Sequence, residues 1–191
     1  MKTRFAFIFA LLFPLMLFAQ GEHLTFMGIP LDGTLDQFTT KLTKKGFSKI
    51  SEEKSLAALA GDFAGYKECV VIVSTLNQKD LVYSAAVIFP PCNQWSSLES
   101  NYFSIKNMLT TKYGEPVKVV EEFQGGEPNS DNSKFIKLQL DECNYKTGFE
   151  TENGRIFLAL AHEGLIGCYV ILGYVDNINE QLASAAAIND L

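Results

Sequence analysis

The chain of 191 residues carries 22 acidic against 16 basic side chains, a formal charge of −6. That balance, with no cluster of Lys and Arg, excludes nucleic acid as a partner, because such binding rests on basic patches. It disfavours polyanionic membrane surfaces for the same reason.

The start, Met1-Lys2-Thr3-Arg4, is short and cationic, and an apolar run over 5–18 follows, broken only by Pro14. Phe18-Ala19-Gln20-Gly21 comes next, with Leu17 and Ala19 at −3 and −1 of a cut after Ala19. This is the pattern of a cleavable secretory signal peptide over 1–19. The run falls short of the ~20 residues a membrane helix needs, and Gly, Pro or charges interrupt every later apolar run. An uncleaved anchor is the alternative. Losing Lys2 and Arg4 with the leader leaves 14 bases against 22 acids, a charge of −8. The expected location is the periplasm or the cell exterior, with no membrane span after cleavage.

The mature chain reads as helix then sheet, twice. Over 20–92, Thr34 and Gln37 form a capping box, and Leu35, Phe38 and Leu42 give the apolar stripe of a helix over 35–45 that Gly46 stops. A polar stretch over 48–54 follows. Strand-like runs then cover 56–67, where Gly61 and Gly65 mark a bulge or bend, 69–76 and 81–89, and Pro90-Pro91 ends the sheet. Over 93–176, Ser96-Ser97-Leu98-Glu99 reads as a second capping box, opening a helix over 98–113 that stops at Gly114 and Pro116. Strands are predicted over 117–123, 135–140, 145–151, 156–161 and 166–175, against three in the first half. Asn153-Gly154 reads as a hairpin turn, and 124–133 as a polar loop. The tail, 177–191, carries a short helix over 180–188. The fold class is therefore α+β, a tandem repeat of a helix followed by an antiparallel β-meander. In 156–161 and 169–172 both alternating sets are apolar, so both sheet faces want cover.

Four cysteines, Cys69, Cys92, Cys143 and Cys168, in an exported chain point to two disulfides rather than a CxxC or zinc motif. Cys69 begins one strand and Cys92 follows the next, which favours Cys69–Cys92. Cys143–Cys168 is the remaining pair, although the strand over 155–163 separates its members. Four buried free thiols are the alternative.

No catalytic, cofactor or metal set emerges. His23 lies near the mature start, where chains are often mobile, and His162 sits at a strand end without a partner signature. Glu121 and Glu122 point to opposite faces of a strand. Glu127, Asn129 and Asp131 open like an EF-hand loop, but Asn132 stands where that loop needs glycine and Leu138 where it needs glutamate. The remaining candidates are aromatic and apolar: Trp95, Phe63 and Tyr66, and the strand residues Phe157, Tyr169 and Ile171. They are candidates for a binding surface; for Trp95 the favoured reading is core packing over the helix start, and for the strand residues the alternative is cover by the first repeat.

The helix–sheet–helix–sheet order with a cysteine pair per half resembles the β-lactamase-inhibitor-protein-like fold. The stretch Gly28-Ile29-Pro30-Leu31 to Thr34-Leu35-Asp36 and the exit Lys112-Tyr113-Gly114-Glu115-Pro116 are similar to small exported bacterial proteins without known activity. The resemblance covers most of 24–176 and is one of topology. It implies two fused repeats and a concave sheet surface that binds a protein target. The expected function is an exported, non-enzymatic binding or envelope-interaction module. The alternative is a small-ligand-binding or hydrolase-like protein whose polar groups converge only in three dimensions.

Overall fold

In the computed structural model, which describes residues 22–76, 79–164 and 167–189, two helix-plus-strand units share one sheet. The expected signal peptide lies outside the described residues.

Two residue pairs, β1 (Thr25–Phe26) and β2 (Ile29–Pro30), form a small hairpin. Its turn runs through Met27 and Gly28, both at positive φ. Helix α1 (Leu35–Lys44) starts on the expected capping box: the Thr34 side chain accepts from the Gln37 N–H at 3.2 Å, and the Gln37 side-chain Oε1 accepts from the Thr34 N–H. Its Leu35, Phe38 and Leu42 are buried.

Four strands follow: β3 (Ser48–Glu53), β4 (Leu56–Phe63), β5 (Tyr66–Thr75) and β6 (Val82–Ile88). Strand β3 reads in the sequence only as a polar stretch. It is an outer strand exposed along its whole length, so it has no apolar alternation to betray it. The bend expected near Gly61 is present as a register shift between Gly61 and Phe63. Phe47 lies over Gly61 so closely that a Cβ there would strike its ring.

Helix α2 (Trp95–Tyr113) begins three residues before the expected start. The Ser96–Glu99 box does not form; Gln94 is the cap and makes no side-chain cap bond. Trp95 is 1 % exposed, so the first helical residue is itself an anchor in the core.

Strand β7 (Lys118–Phe123) comes next, and then the largest departure from expectation. The segment read as a strand over 135–140 is helix α3 (Asp131–Gln139). Ser130 caps it by accepting from the Ser133 N–H at 3.2 Å, and Asp131 sits in the first turn, where the helix dipole favours a carboxylate. The extra strand is thereby removed, and β8 (Cys143–Thr151), β9 (Gly154–Glu163) and β10 (Gly167–Asp176) complete a second set of four. The hairpin between β8 and β9 exists one residue earlier than expected. Thr151 pairs with Gly154, leaving Glu152 and Asn153 as the loop. Helix α4 (Asn177–Asn189) ends the chain.

The eight strands run in the order β3-β4-β5-β6-β10-β9-β8-β7, every neighbour antiparallel. The last strand of each unit therefore meets the other at the centre, Ile88 opposite Ile171 and Ala85 opposite Tyr174. One continuous core spans both units. On its side of the sheet α1 packs against β3, β4 and β5, while α2 and α3 pack against β8, β9 and β10.

A carboxylate closes the fold at one end. Asp176 is fully buried and accepts from the Leu24 N–H at 2.7 Å and the Asn179 N–H at 2.8 Å. His23 Nδ1 lies 3.1 Å from the same group, so this histidine is tied down rather than on a loose end. Asn179 donates to the carbonyls of Leu31 and Val82, both at 2.9 Å.

Candidate functional site

Three places bear on function: the sheet face opposite the main helices, a cleft beside β8 and β9, and the cysteines.

Alternation along the central strands sends one set of side chains into the core and the other to the opposite face. That second set forms two cross-strand rows. One runs Val70, Ile88, Ile171, Ala159; the other runs Ile72, Ala86, Gly173, Phe157. Phe157 is 41 % exposed, and Ala159, Tyr169 and Ile171 are half-buried. The doubly apolar strands are thus accounted for: α1, α2 and α3 cover one face and leave the other partly open, while α4 lies against β6, β9 and β10 and its Glu180 pairs with Arg155. Gly173 lies directly under Phe157, and a Cβ there would collide with its ring. The ring atoms Cε1 and Cζ occupy the place such a Cβ would take. Toward β7 and β8 this face turns charged, with Lys146, Glu150 and Arg155 exposed. A pocket of about 360 Å³ opens between Ile88, Pro91, Glu163, Gly167 and Tyr169.

The other aromatic candidates lie elsewhere. Trp95 is no surface residue: it is buried against Phe123 and Tyr145, with ring centroids 5.3 and 5.4 Å away. Phe63 stacks on Phe26 at 5.6 Å, and Tyr66 meets Phe89 edge-on at 5.0 Å. Both are partly buried against the core. The structure does not gather these three with Phe157, Tyr169 and Ile171.

The cleft, about 760 Å³, is lined among others by Glu122, Asp141, Glu142, Asn144, Lys146 and His162. It opens because β8 and β9 part: their pairing stops at Lys146 opposite Ala159, while β8 continues along β7 to Cys143 and β9 along β10 to Glu163. His162 Nε2 lies 3.0 Å from Asp141 Oδ1, and Nδ1 lies 3.0 Å from the Gly164 carbonyl. Asp141 first, then the Gly164 carbonyl, hold the imidazole pKa above its ordinary value. Asn144 Oδ1 is buried with no hydrogen-bond partner among the described residues. Sequence reasoning missed this grouping, because Asp141 follows the helix that had been read as a strand.

All four cysteines are free thiols, and neither expected pair is brought together. Val70 pairs with Ile88, so Cys69 lies level with Phe89, three residues short of Cys92. Strand β9 runs between Cys143 and Cys168, and two strand spacings are about 9.6 Å, beyond the ~7 Å a bridge allows. Burial raises every thiol, Cys143 to about 12 and Cys168 to about 11. Such thiols are protonated at neutral pH and are poor nucleophiles.

Among the described residues no group of three His, Cys, Asp or Glu side chains could hold a metal ion, and no helix is long and apolar enough to cross a membrane. The EF-hand-like opening is instead the approach to α3, where Glu127 pairs with Lys134 and Asp131 is the first helical residue. No family model, characterised protein or solved structure matches the chain.

Proposed function

We propose that this chain is an exported binding module whose open sheet face engages a protein partner in the envelope or outside the cell. The carrying observation is the pair of apolar rows ending on Phe157 and Ala159, left partly exposed with charged residues to one side. An apolar centre beside a polar rim is the anatomy of a protein contact, and a contiguous apolar patch of this kind marks an interaction site. The tandem helix-plus-meander order, resembling β-lactamase-inhibitor-protein-like folds, supports a sheet-borne contact. Inhibition of a β-lactamase does not follow from it. Export rests on the leader over 1–19 and is checked by N-terminal sequencing of the secreted product, which should begin close to Gln20.

The test is affinity capture of the mature chain from its native envelope, run beside Phe157→Asp and Ile171→Asp variants with unchanged circular dichroism. A partner held by the wild type and lost from both variants supports the reading. Equal capture by all three rejects it.

The second reading is a small ligand in the cleft. It is favoured by Asn144 Oδ1, a buried acceptor in need of a donor, beside the His162–Asp141 pair. Under this reading, loss of ligand binding follows Asn144→Leu and not Phe157→Asp.

A further inference from the structure

We propose that Cys92 and Cys168 form a disulfide when the folded chain meets glutathione disulfide or a protein disulfide of the same chemistry. Beyond Ile88 the chain leaves the ladder at Pro90-Pro91 and returns with one isolated antiparallel bridge, Cys92 opposite Cys168. The Cys92 N–H donates to the Cys168 carbonyl at 2.8 Å. Directly opposed antiparallel residues share a face and hold their Cα atoms about 4.5–5.5 Å apart. Disulfides span about 4.4–6.8 Å. Neither other cysteine has such a partner: Cys69 lies level with Phe89, and β9 stands between Cys143 and Cys168.

The surroundings agree with that shared face. Asn101 on α2 donates to the Cys92 sulfur at 3.4 Å, and Cys168 is buried in the core over which α2 packs. A hydrogen-bonded antiparallel pair holds its Cα atoms about 5.5 Å apart, inside the range a disulfide spans.

Accessibility sets the order of steps. Cys92 is partly exposed and Cys168 is fully buried. The Cys92 thiolate attacks one sulfur of glutathione disulfide, and a glutathione thiolate leaves. The Cys168 thiolate then attacks the Cys92 sulfur of the mixed disulfide, and the second glutathione leaves. The two thiol protons and the two electrons end on the two departing glutathiones, which leave as reduced glutathione. Burial raises both protein thiols, so exchange in the folded chain is slow and quickens with pH.

The pairing rests on backbone register and is independent of export. The purified chain is brought to equilibrium with glutathione disulfide, quenched in acid, unfolded, alkylated and mapped without reductant. The expected result is one linked pair, Cys92 to Cys168, with Cys69 and Cys143 alkylated. A Cys168→Ser variant should stop at a glutathione adduct on Cys92. Alkylated Cys92 and Cys168 in the wild type, or a bond from either to Cys69 or Cys143, overturns the proposal. The wild-type map carries the decision, so a poorly folding variant does not blunt it.

Discussion

Asp141 shows how one residue can shape its surroundings from an unusual backbone. It has φ 61°, a left-handed conformation that Asp and Asn tolerate better than most residues. From there its carboxylate reaches His162. Asp141→Asn keeps the backbone and removes the charge, so the His162 titration midpoint followed by NMR should fall toward the ordinary value. The sign for stability follows from a raised histidine pKa. The contribution is present below the unfolded value, near 6.5, and disappears as pH rises through the folded value. Asp141 is largely exposed, so water weakens the effect, and the variant should differ from wild type at pH 5 and converge with it by pH 9. An unmoved midpoint would show that the pair does not persist in solution. Gly173 offers a second test. Gly173→Ala drives a Cβ into the Phe157 ring, an overpacking that costs about 1–3 kcal/mol, here near the low end because the exposed ring can swing outward. Phe157→Ala in the same chain should recover part of that loss in urea melts, whereas strictly additive losses would mean the ring does not lie on the glycine.

Most elements with a long buried face were legible in the sequence; β3, α3 and the short β1–β2 hairpin were not. Helix α1 announced itself through its capping box and three buried apolar residues. Strands β5, β6 and β10 did so through β-branched runs. Strand β3 buries nothing, and α3 buries only Leu138, so periodicity was silent there and the β-propensity of Phe135 and Ile136 misled. The start of α2 was missed because burial of Trp95 outweighed the serine cap. Trp95→Ala should therefore cost about 3–5 kcal/mol in chemical denaturation. Trp95→Phe should cost clearly less, because the indole N–H has no partner among the described residues and no hydrogen bond is forfeited. Equal losses would indicate a hidden polar contact. Ser130→Ala removes the cap of α3 and an exposed hydroxyl bond to Ser133 and should cost about 1 kcal/mol.

At the scale of the molecule, the order of elements could be read but not the joint between the units. Pairing of β6 with β10 links residues more than 80 positions apart, Ile88 with Ile171, and no local signal encodes it. The same holds for the site: Phe157 and Gly173 meet through register, and His162 and Asp141 across the parted ends of β8 and β9. The Asp176 knot is the long-range feature with the largest predicted effect. Asp176→Ala strands buried donors from Leu24 and Asn179, and each unsatisfied group costs about 1–3 kcal/mol. Faster hydrogen exchange at the Leu24 and Asn179 amides should accompany the lower stability; unchanged exchange at both would refute the knot. The open sheet also has two outer strands, and each carries charge of both signs: Lys49, Glu52 and Glu53 on β3, and Lys118, Glu121 and Glu122 on β7. Unpaired strand edges invite neighbouring molecules to dock, and a β3-to-β7 union between copies would repeat without closing, giving an endless ribbon. Bringing six ionised side chains side by side at every such seam opposes that polymer at neutral pH.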